Sequence, residues 1–585
     1  MIKKIGLLFL ALVMVVVPTS NVGAFTGNGL GTSTNPYVIT TCQQLFEINN
    51  NLTGYYVLQN HVFCTGATWS HIGTLTSSAF SGTLDGQGYS INDLTVNDTN
   101  GVGLFTYING GTVTNLRLNN FDITGTGTVG ALAARADNAT ISLVRVSNST
   151  VRSEYATGGL VGILNLSTVS DSSVQNSQIL GRAGAGFSLV IGGFVGLSTT
   201  NTYNRNSVGG TVNALVSGAS SIEQTGGFVG YTNFDEVYDS YSTANITGSQ
   251  DVGGFAGANL GSTFYRSYAS GSVTGVSNVG GFTGSTIRVS MLINSFAVGG
   301  VSGTTAVGGL AGHVYGIGAD VTNSTWDVTR TTQTNCFGLD QGGPTTCLAG
   351  VNVAAAQPNY FYNSAVAAPL NTWNFTTVWQ TTAGLPVLRT ISGVPAEVRV
   401  APTPTTVRVM WDAPGSDGGS PITSYDLKYR TSGTANYATV TGILASGARE
   451  YTLSEGIVPS TGYEIEVRAR NAIGPGPWLG FIAFTTAPIL PPTLPPAMLT
   501  LATTKTLSNF ENVAVDQTVT TVPTTTTTMD TTTTDDAAVT TTETTDLQQP
   551  EQTSDSGSIS PVLVATIIVG ALIGSILLIR VFVRR

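Results

Sequence analysis

One short phrase returns eight times between Gly101 and Gly312: VGLF, VGALA, GGLVG, GGFVG, GGFVG, VGGFAG, VGGFTG and VGGLAG. The large apolar residue after the glycines marks the register. It falls at Leu104, Leu132, Leu160, Phe194, Phe228, Phe255, Phe282 and Leu310, with spacings of 28, 28, 34, 34, 27, 27 and 28. A fixed period in this range signals stacked repeats, and it limits the chain to a solenoid-like architecture. The cleanest unit, VGGFAGANLGSTFYRSYASGSVTG from Val252 to Gly275, is built of small and β-branched residues with turns between short extended segments. No sustained 3.6-residue apolar period runs through it, so strands are expected and helices are not.

Two further registers support a coil. Ser172, Ser207, Ser240, Ser267, Ser295 and Ser324 follow their markers by 12 to 14 residues, and an aromatic comes next at Tyr241, Tyr268 and Phe296. Gly248, Gly275 and Gly303 recur at spacings of 27 and 28. Three registers per period predict a coil of three strands, with like residues stacked above like. Neighbouring coils then lie about 4.8 Å apart. Glycine fits the turns because it allows positive φ and close backbone approach. The Phe or Leu after it should point inward, and each coil buries its apolar face only against its neighbours. The two 34-residue periods place extra residues around 181–188 and 213–223.

These residues resemble the GLUG-motif repeats of bacterial surface and adhesin-like proteins. The resemblance extends upstream to GNGLGTSTNPYVITTCQQLFEINNNLTGYYVLQNHV and FSGTLDGQGYSINDLTVN, which look like opening coils. Downstream, NSTWDVTRTTQT and FTTVWQTTAGLPVLR look like closing strands. It implies an all-β parallel β-solenoid (β-helix) over 25–391, displayed on a cell surface, and no particular ligand.

Residues 394–487 change character and resemble a fibronectin type III module. Trp411 matches that family's core tryptophan, Tyr463 its tyrosine corner, and Asn471 with Ala-Ile-Gly the turn before the last strands. Residues 488–558 are Pro- and Thr-rich and cannot bury enough apolar surface to fold, so a disordered, glycosylated stalk is expected. Val562 to Ile579 is an uncharged apolar run followed by Arg580, Arg584 and Arg585, which predicts one transmembrane helix over 559–583 with a short basic cytoplasmic tail. Residues 1–24 read as a signal peptide, with Lys3 and Lys4 before an apolar core and Val22-Gly23-Ala24 at the cleavage site. The topology expected is single-pass type I, with the N-terminal bulk extracellular.

The four cysteines form two local pairs at the ends of the repeats, Cys42 with Cys64 and Cys336 with Cys347. Three connectivities exist, and the short-loop pairing suits an exported chain better than a metal site with these spacings. Sequons at Asn51, Asn97, Asn138, Asn148, Asn165, Asn245, Asn323 and Asn374 are candidate glycosylation sites on turns, although a chain this rich in Asn, Ser and Thr also generates them by chance. A net charge of −10 and a pI near 4.8 argue against a nucleic-acid partner.

No HExxH, GxSxG or P-loop occurs. His61, His71 and His313 are the three histidines, and His313 reads as a turn residue. Gly125, Gly127 and Gly130 match a dinucleotide fingerprint without the helix that it requires. The acids Asp235, Glu236, Asp239 and Asp251, with Arg266 a coil away, could suit a polysaccharide lyase, but a solvated turn outweighs that reading. The expectation is therefore a chain with no catalytic residue, cofactor or metal, and no enzyme activity. Its structural core would be Leu160, Phe194, Phe228, Phe255, Phe282, Leu310, Trp411 and Tyr463. Its role would be adhesin-like, taking an extracellular protein or carbohydrate ligand. A tethered lyase or hydrolase and a structural envelope component are the alternatives.

Overall fold

The computed structural model describes residues 24–490 apart from 68, 70, 76–77, 100, 183–187, 216–222, 289, 316–318, 342–346, 354–358, 363–367, 435 and 448. The expected leader before Ala24, the stalk from 491 onward, the membrane segment and the tips of both insertions lie outside the described residues.

The markers build the core. Leu104, Leu132, Leu160, Phe194, Phe228, Phe255, Phe282 and Leu310 all have no solvent exposure. The rings of Phe194, Phe228, Phe255 and Phe282 stack with centroids 4.8, 4.7 and 4.8 Å apart, which is the spacing of paired strands. From Leu132 onward each marker N–H donates to the carbonyl of the next, as Phe194 to Phe228 at 2.8 Å, Phe228 to Phe255 at 2.7 Å and Phe255 to Phe282 at 2.8 Å. The column does not stop at Leu310, whose N–H donates to Cys336 at 2.9 Å. A buried cysteine thus fills the last marker position.

Where a glycine precedes the marker, proximity requires it; Leu132 follows Ala131 instead. A Cβ on Gly193 would lie 2.2 Å from the Gly227 carbonyl oxygen, and one on Gly227 would lie 2.1 Å from that of Gly254. None of these glycines has positive φ, contrary to half of the expectation. The left-handed turns fall elsewhere; one register of them runs through Leu143, Asp171, Arg205, Asp239, Arg266, Asn294 and Asn323, and a second through Asn138, Leu166, Thr200 and Phe234.

A coil holds five short strands, not the three expected. In one coil they are Gln250–Gly253, Ala256–Leu260, Thr263–Tyr265, Tyr268–Ala269 and Val273–Thr274. Pairing with equivalent strands is parallel throughout, and the stack forms sheets of seven, nine, eleven and sixteen strands. In the two long coils the fourth and fifth strands fuse into Ser173–Arg182 and Ser207–Leu215, which pair in register from Gln178 with Thr211 onward. The insertions therefore begin as strand extensions.

At the N-terminal end the helix Cys42–Phe46 covers the first coil with buried Leu45. Thr41 and Gln44 form a reciprocal capping box at its start. Cys42 is bonded to Cys64, and Cys336 to Cys347.

Of the two expected closing segments the first holds, since Thr325–Trp326 pairs in parallel with Phe296–Ala297, and the second departs. Phe337–Asp340 does pair on the last coil, beside Ala311–Tyr315. Residues 359–362 and 368–391, however, return along the flank as a strap. There the outward ladder Tyr241, Tyr268 and Phe296 stacks at 5.0 Å per step. Phe361, Trp373 and Trp379 cover it, making a second apolar core outside the solenoid. Trp373 Nε1 donates to the Asn294 carbonyl at 2.8 Å, and Tyr268 Oη donates to the Pro386 carbonyl at 2.9 Å.

Beyond the strap lies a two-sheet sandwich. Ala396–Pro402, Val407–Asp412 and Glu450–Leu453 form one antiparallel sheet. Ala438–Leu444, Ile422–Thr431, Gly462–Asn471 and Ile482–Thr485 form the other. Trp411 and Tyr463 are buried between them. The Tyr463 hydroxyl donates to the Gly456 carbonyl at 2.9 Å and accepts from the Val458 N–H at 2.8 Å, tying the crossover.

Candidate functional site

The acidic cluster does not form. Asp235 is inside the solenoid, 1% exposed, and belongs to a hydrogen-bond column. Its carboxylate accepts from the Asn201 N–H at 2.7 Å, and its own N–H donates to Ser262 Oγ at 2.9 Å. Burial pushes its pKa up to about 6. Glu236 is exposed on a strand. Asp239 is held by Arg266 through two bonds of 2.8 Å and accepts from Trp379 Nε1 at 3.1 Å. Asp251 accepts from Asn278. Asp235, Asp239 and Asp251 are each bonded to a residue of a neighbouring coil and do not converge, so the solvated-turn reading is corrected for these three. The alternation of burial along the strands, which carries Asp235 inward, is the physical reason.

A parallel column uses the serine register. Ser172 donates its N–H to Asn206 Oδ1 at 3.0 Å, Asn206 its N–H to Ser240 Oγ at 3.1 Å, and Ser240 its N–H to Ser267 Oγ at 3.2 Å. Asn206, not Ser207, holds the position in the long coil. Ser207 stands one residue on, in a strand, opposite Tyr241. His313 is likewise a strand residue, paired with Ser285 and Leu339, and burial lowers its pKa.

Among the sequons, Asn97, Asn138, Asn148, Asn245 and Asn374 are exposed, while Asn51, Asn165 and Asn323 are half-buried. Several of these amides already bridge coils: Asn138 donates to Asn109 Oδ1 at 3.1 Å, Asn148 to Asn119 Oδ1 at 2.9 Å and Asn323 to Asn294 Oδ1 at 2.6 Å.

No residue pattern announces the junction between solenoid and sandwich. Lys428 and Glu466 lie on neighbouring sandwich strands, and both are buried. The Lys428 ammonium is 3.2 Å from Glu466 Oε1 and donates to the Tyr89 hydroxyl of the solenoid at 3.2 Å. It also faces three rings, with centroid distances of 5.3 Å to Tyr89, 4.6 Å to Tyr437 and 4.6 Å to Trp478. Such cation–π contacts strengthen when water is excluded. Tyr89 donates to Glu466 Oε2. Arg430 donates to Gln59 Oε1 at 3.1 Å and Trp478 to Gln87 Oε1 at 3.4 Å. Gly88 has φ of 84°, and a Cβ there would lie 2.7 Å from Pro477. Solenoid, strap and sandwich form one compact unit. Burial lowers the Lys428 pKa to about 8, with Glu466 opposing the shift.

Where these three parts meet, a recess of about 250 Å³ opens. Its floor is the outward column Arg145, Ser173, Ser207 and Tyr241, one residue from each of four successive coils. One wall is the pair Arg205 and Asp171, with Nε and Oδ1 2.7 Å apart. The strap supplies Leu388 to Ile391, and the sandwich supplies Ile473.

Architecture makes this an all-β repeat protein, a parallel solenoid of nine stacked marker strands joined to a fibronectin-like sandwich. Residues 393–482 match the fibronectin type III domain family, so the chain carries that module. Residues 34–148 match the M26 IgA1-specific metallo-endopeptidase N-terminal region. Halomucin of Haloquadratum walsbyi is 33% identical over 170 residues, 26% of this chain and 2% of that protein. Fasciclin-2 of Schistocerca americana is 37% identical over 99 residues, 16% of this chain and 11% of that protein. Immunoglobulin A1 protease of Streptococcus sanguinis is 38% identical over 133 residues, 22% of this chain and 7% of that protein. The chain therefore spans 2%, 11% and 7% of the lengths of these relatives. They are compatible with a surface protein. Among the described residues, no helix is long and apolar enough to cross a membrane.

The expectation that the chain is not an enzyme is corrected by two of these matches. Residues 34–148 and the immunoglobulin A1 protease both point toward proteolysis. The matching coils are strand and turn residues without a compact catalytic motif, and a search for such motifs passes over them.

Proposed function

We propose that this chain is an adhesin-like cell-surface protein, in which solenoid and fibronectin module are displayed as a single stiff binding body toward other cells, glycans or matrix. The observation that supports this is the caged Lys428 junction, which holds the module against the coils through buried charge and aromatic contacts. A module serving only as a loose spacer has no need of such a junction. The GLUG-type repeats, the leader, the Thr-rich stalk and the apolar run at 562–579 complete the reading as a tethered exterior protein with one membrane span. The test is binding of the purified full chain to cells and to glycan and matrix arrays. Saturable binding to at least one surface is expected; none would overturn the proposal.

A second reading is favoured by residues 34–148: the chain takes part in proteolysis, its first coils serving as the solenoid scaffold of a peptidase. A metallo-endopeptidase needs a metal. Among the described residues no three His, Cys, Asp or Glu side chains stand where they could hold one, so no hydrolytic step is assigned to them. Incubation with immunoglobulin A1, with and without a chelator, tests this reading. Chelator-sensitive cleavage would support it, and an intact substrate would exclude immunoglobulin A1 as its target.

A further inference from the structure

We propose that the recess between solenoid, strap and sandwich is a binding site for a small organic acid of one-ring size, whose carboxylate pairs with Arg145, and that an acidic sugar residue is the ligand class it fits. The inference goes beyond display at a surface and does not depend on it.

Charge comes first. Arg145 lines the recess, and its guanidinium makes no hydrogen bond or ion pair among the described residues. Its neighbour in the adjoining coil is Arg117, a like charge in direct register. Burial and Arg117 together lower the Arg145 pKa to about 10. Every other charged group around the recess is engaged. Arg205 pairs with Asp171 and donates to the Arg389 carbonyl at 3.0 Å. The Arg389 guanidinium turns into the strap, donating to the carbonyls of Trp379 at 3.1 Å and Phe375 at 3.0 Å. Asp171 is the one carboxylate in the lining; it pairs with Arg205 and also attracts Arg145. Against Arg145, Arg205 and Arg389 it leaves the recess net positive, and Arg145 is the guanidinium there without a hydrogen-bond partner among the described residues, suited to bidentate carboxylate recognition.

Shape and lining narrow the class. About 250 Å³ lies just under the roughly 300 Å³ at which pockets for drug-sized ligands begin, so a single ring fits and a longer chain does not. Leu143, Leu388, Ile391 and Ile473 supply apolar wall, which a bare inorganic ion would not use. Ser173, Ser207 and Gln175 supply hydroxyl and amide groups; Gln175 Nε2 donates to Ser207 Oγ at 3.2 Å. Tyr241 closes one end as a ring face. A carboxylate, several hydroxyls and a compact ring answer all of these features together.

The test is calorimetric titration of the full chain with D-glucuronate, D-glucose and sulfate, repeated on Arg145→Gln and Ser173→Phe, with thermal melting to confirm that each variant is folded. Saturable binding of glucuronate is expected, with glucose at least about tenfold weaker, as for loss of a charged hydrogen-bond pair. Arg145→Gln should weaken glucuronate by a similar factor, and Ser173→Phe, which fills the floor, should abolish binding. Failure of glucuronate to saturate, sulfate binding as tightly as glucuronate, or either folded variant binding like the parent would overturn the proposal.

Discussion

Single residues decide whether one coil can sit on the next. Gly227 is the sharpest case, because a Cβ there would meet the Gly254 carbonyl at 2.1 Å, and that atom is backbone in a rung that cannot move alone. Gly227→Ala is expected to cost about 2 kcal/mol or more in chemical denaturation, in line with overpacking in a close-packed interior. Gly415, with nothing within 4 Å of its Cβ position, is the control, and Gly415→Ala should change stability by less than about 1 kcal/mol. Asp235 shows the other face of the same packing. Its folded pKa of about 6 lies above the ordinary 3.8. The folded state therefore holds the proton more tightly than the unfolded chain does. The contribution is full below pH 3.8 and is lost as pH rises through 6, the reverse of a salt-bridged aspartate. The column already accepts Asn201 one coil earlier. Asp235→Asn should thus stabilise the protein at pH 7 by a few kcal/mol at most, about 1–3, and the gain should vanish near pH 3.5. Melting curves of parent and variant across that range check the sign.

At the scale of strands and straps, part of the molecule was legible and part was not. The marker column could be read because every coil needs the same pair, a residue without a side chain beside one that fills the core. The five-strand coil could not. Its corners are left-handed turns held by residues as different as Leu143, Arg205 and Asn323, so the backbone demand leaves no shared letter. Ser207 misled for a related reason: the long coil shifts the column to Asn206, which also accepts from a neighbouring N–H. The strap was invisible as a strap because Trp373 and Trp379 find their aromatic partners about a hundred residues away in sequence. The recess is hidden in the same sense, since Arg145, Ser173, Arg205, Arg389 and Ile473 meet only after folding. Trp379→Ala should open this element. Loss of a fully buried tryptophan costs about 3–5 kcal/mol, and it would uncover Tyr241 and Tyr268 and leave Asp239 short of a donor. Limited proteolysis should then cut within 359–391 while the coils from Phe194 to Leu310 stay resistant. Cleavage rates equal to the parent's would show that the strap is held by something else.

For the whole molecule, the account rests on the solenoid and the fibronectin module behaving as one body. The family matches fall on the two ends, one over 34–148 and the fibronectin type III module over 393–482. The structure joins them: Tyr89, Gln87 and Gln59 come from the first stretch, and Lys428, Glu466 and Trp478 from the second. Removing Glu466 leaves the buried Lys428 ammonium without its carboxylate, and breaking such a pair costs about 3–5 kcal/mol. Amide hydrogen exchange on the full chain, parent against Glu466→Ala, reads the junction from both sides. In the parent, the amides of residues 86–89 and those of Gly476 and Trp478 should be protected together. In Glu466→Ala both segments should exchange faster by a common factor while the Phe194 to Phe282 stack keeps its protection. If 86–89 exchange as quickly in the parent as in the variant, the two parts are not docked, and the single displayed body is contradicted.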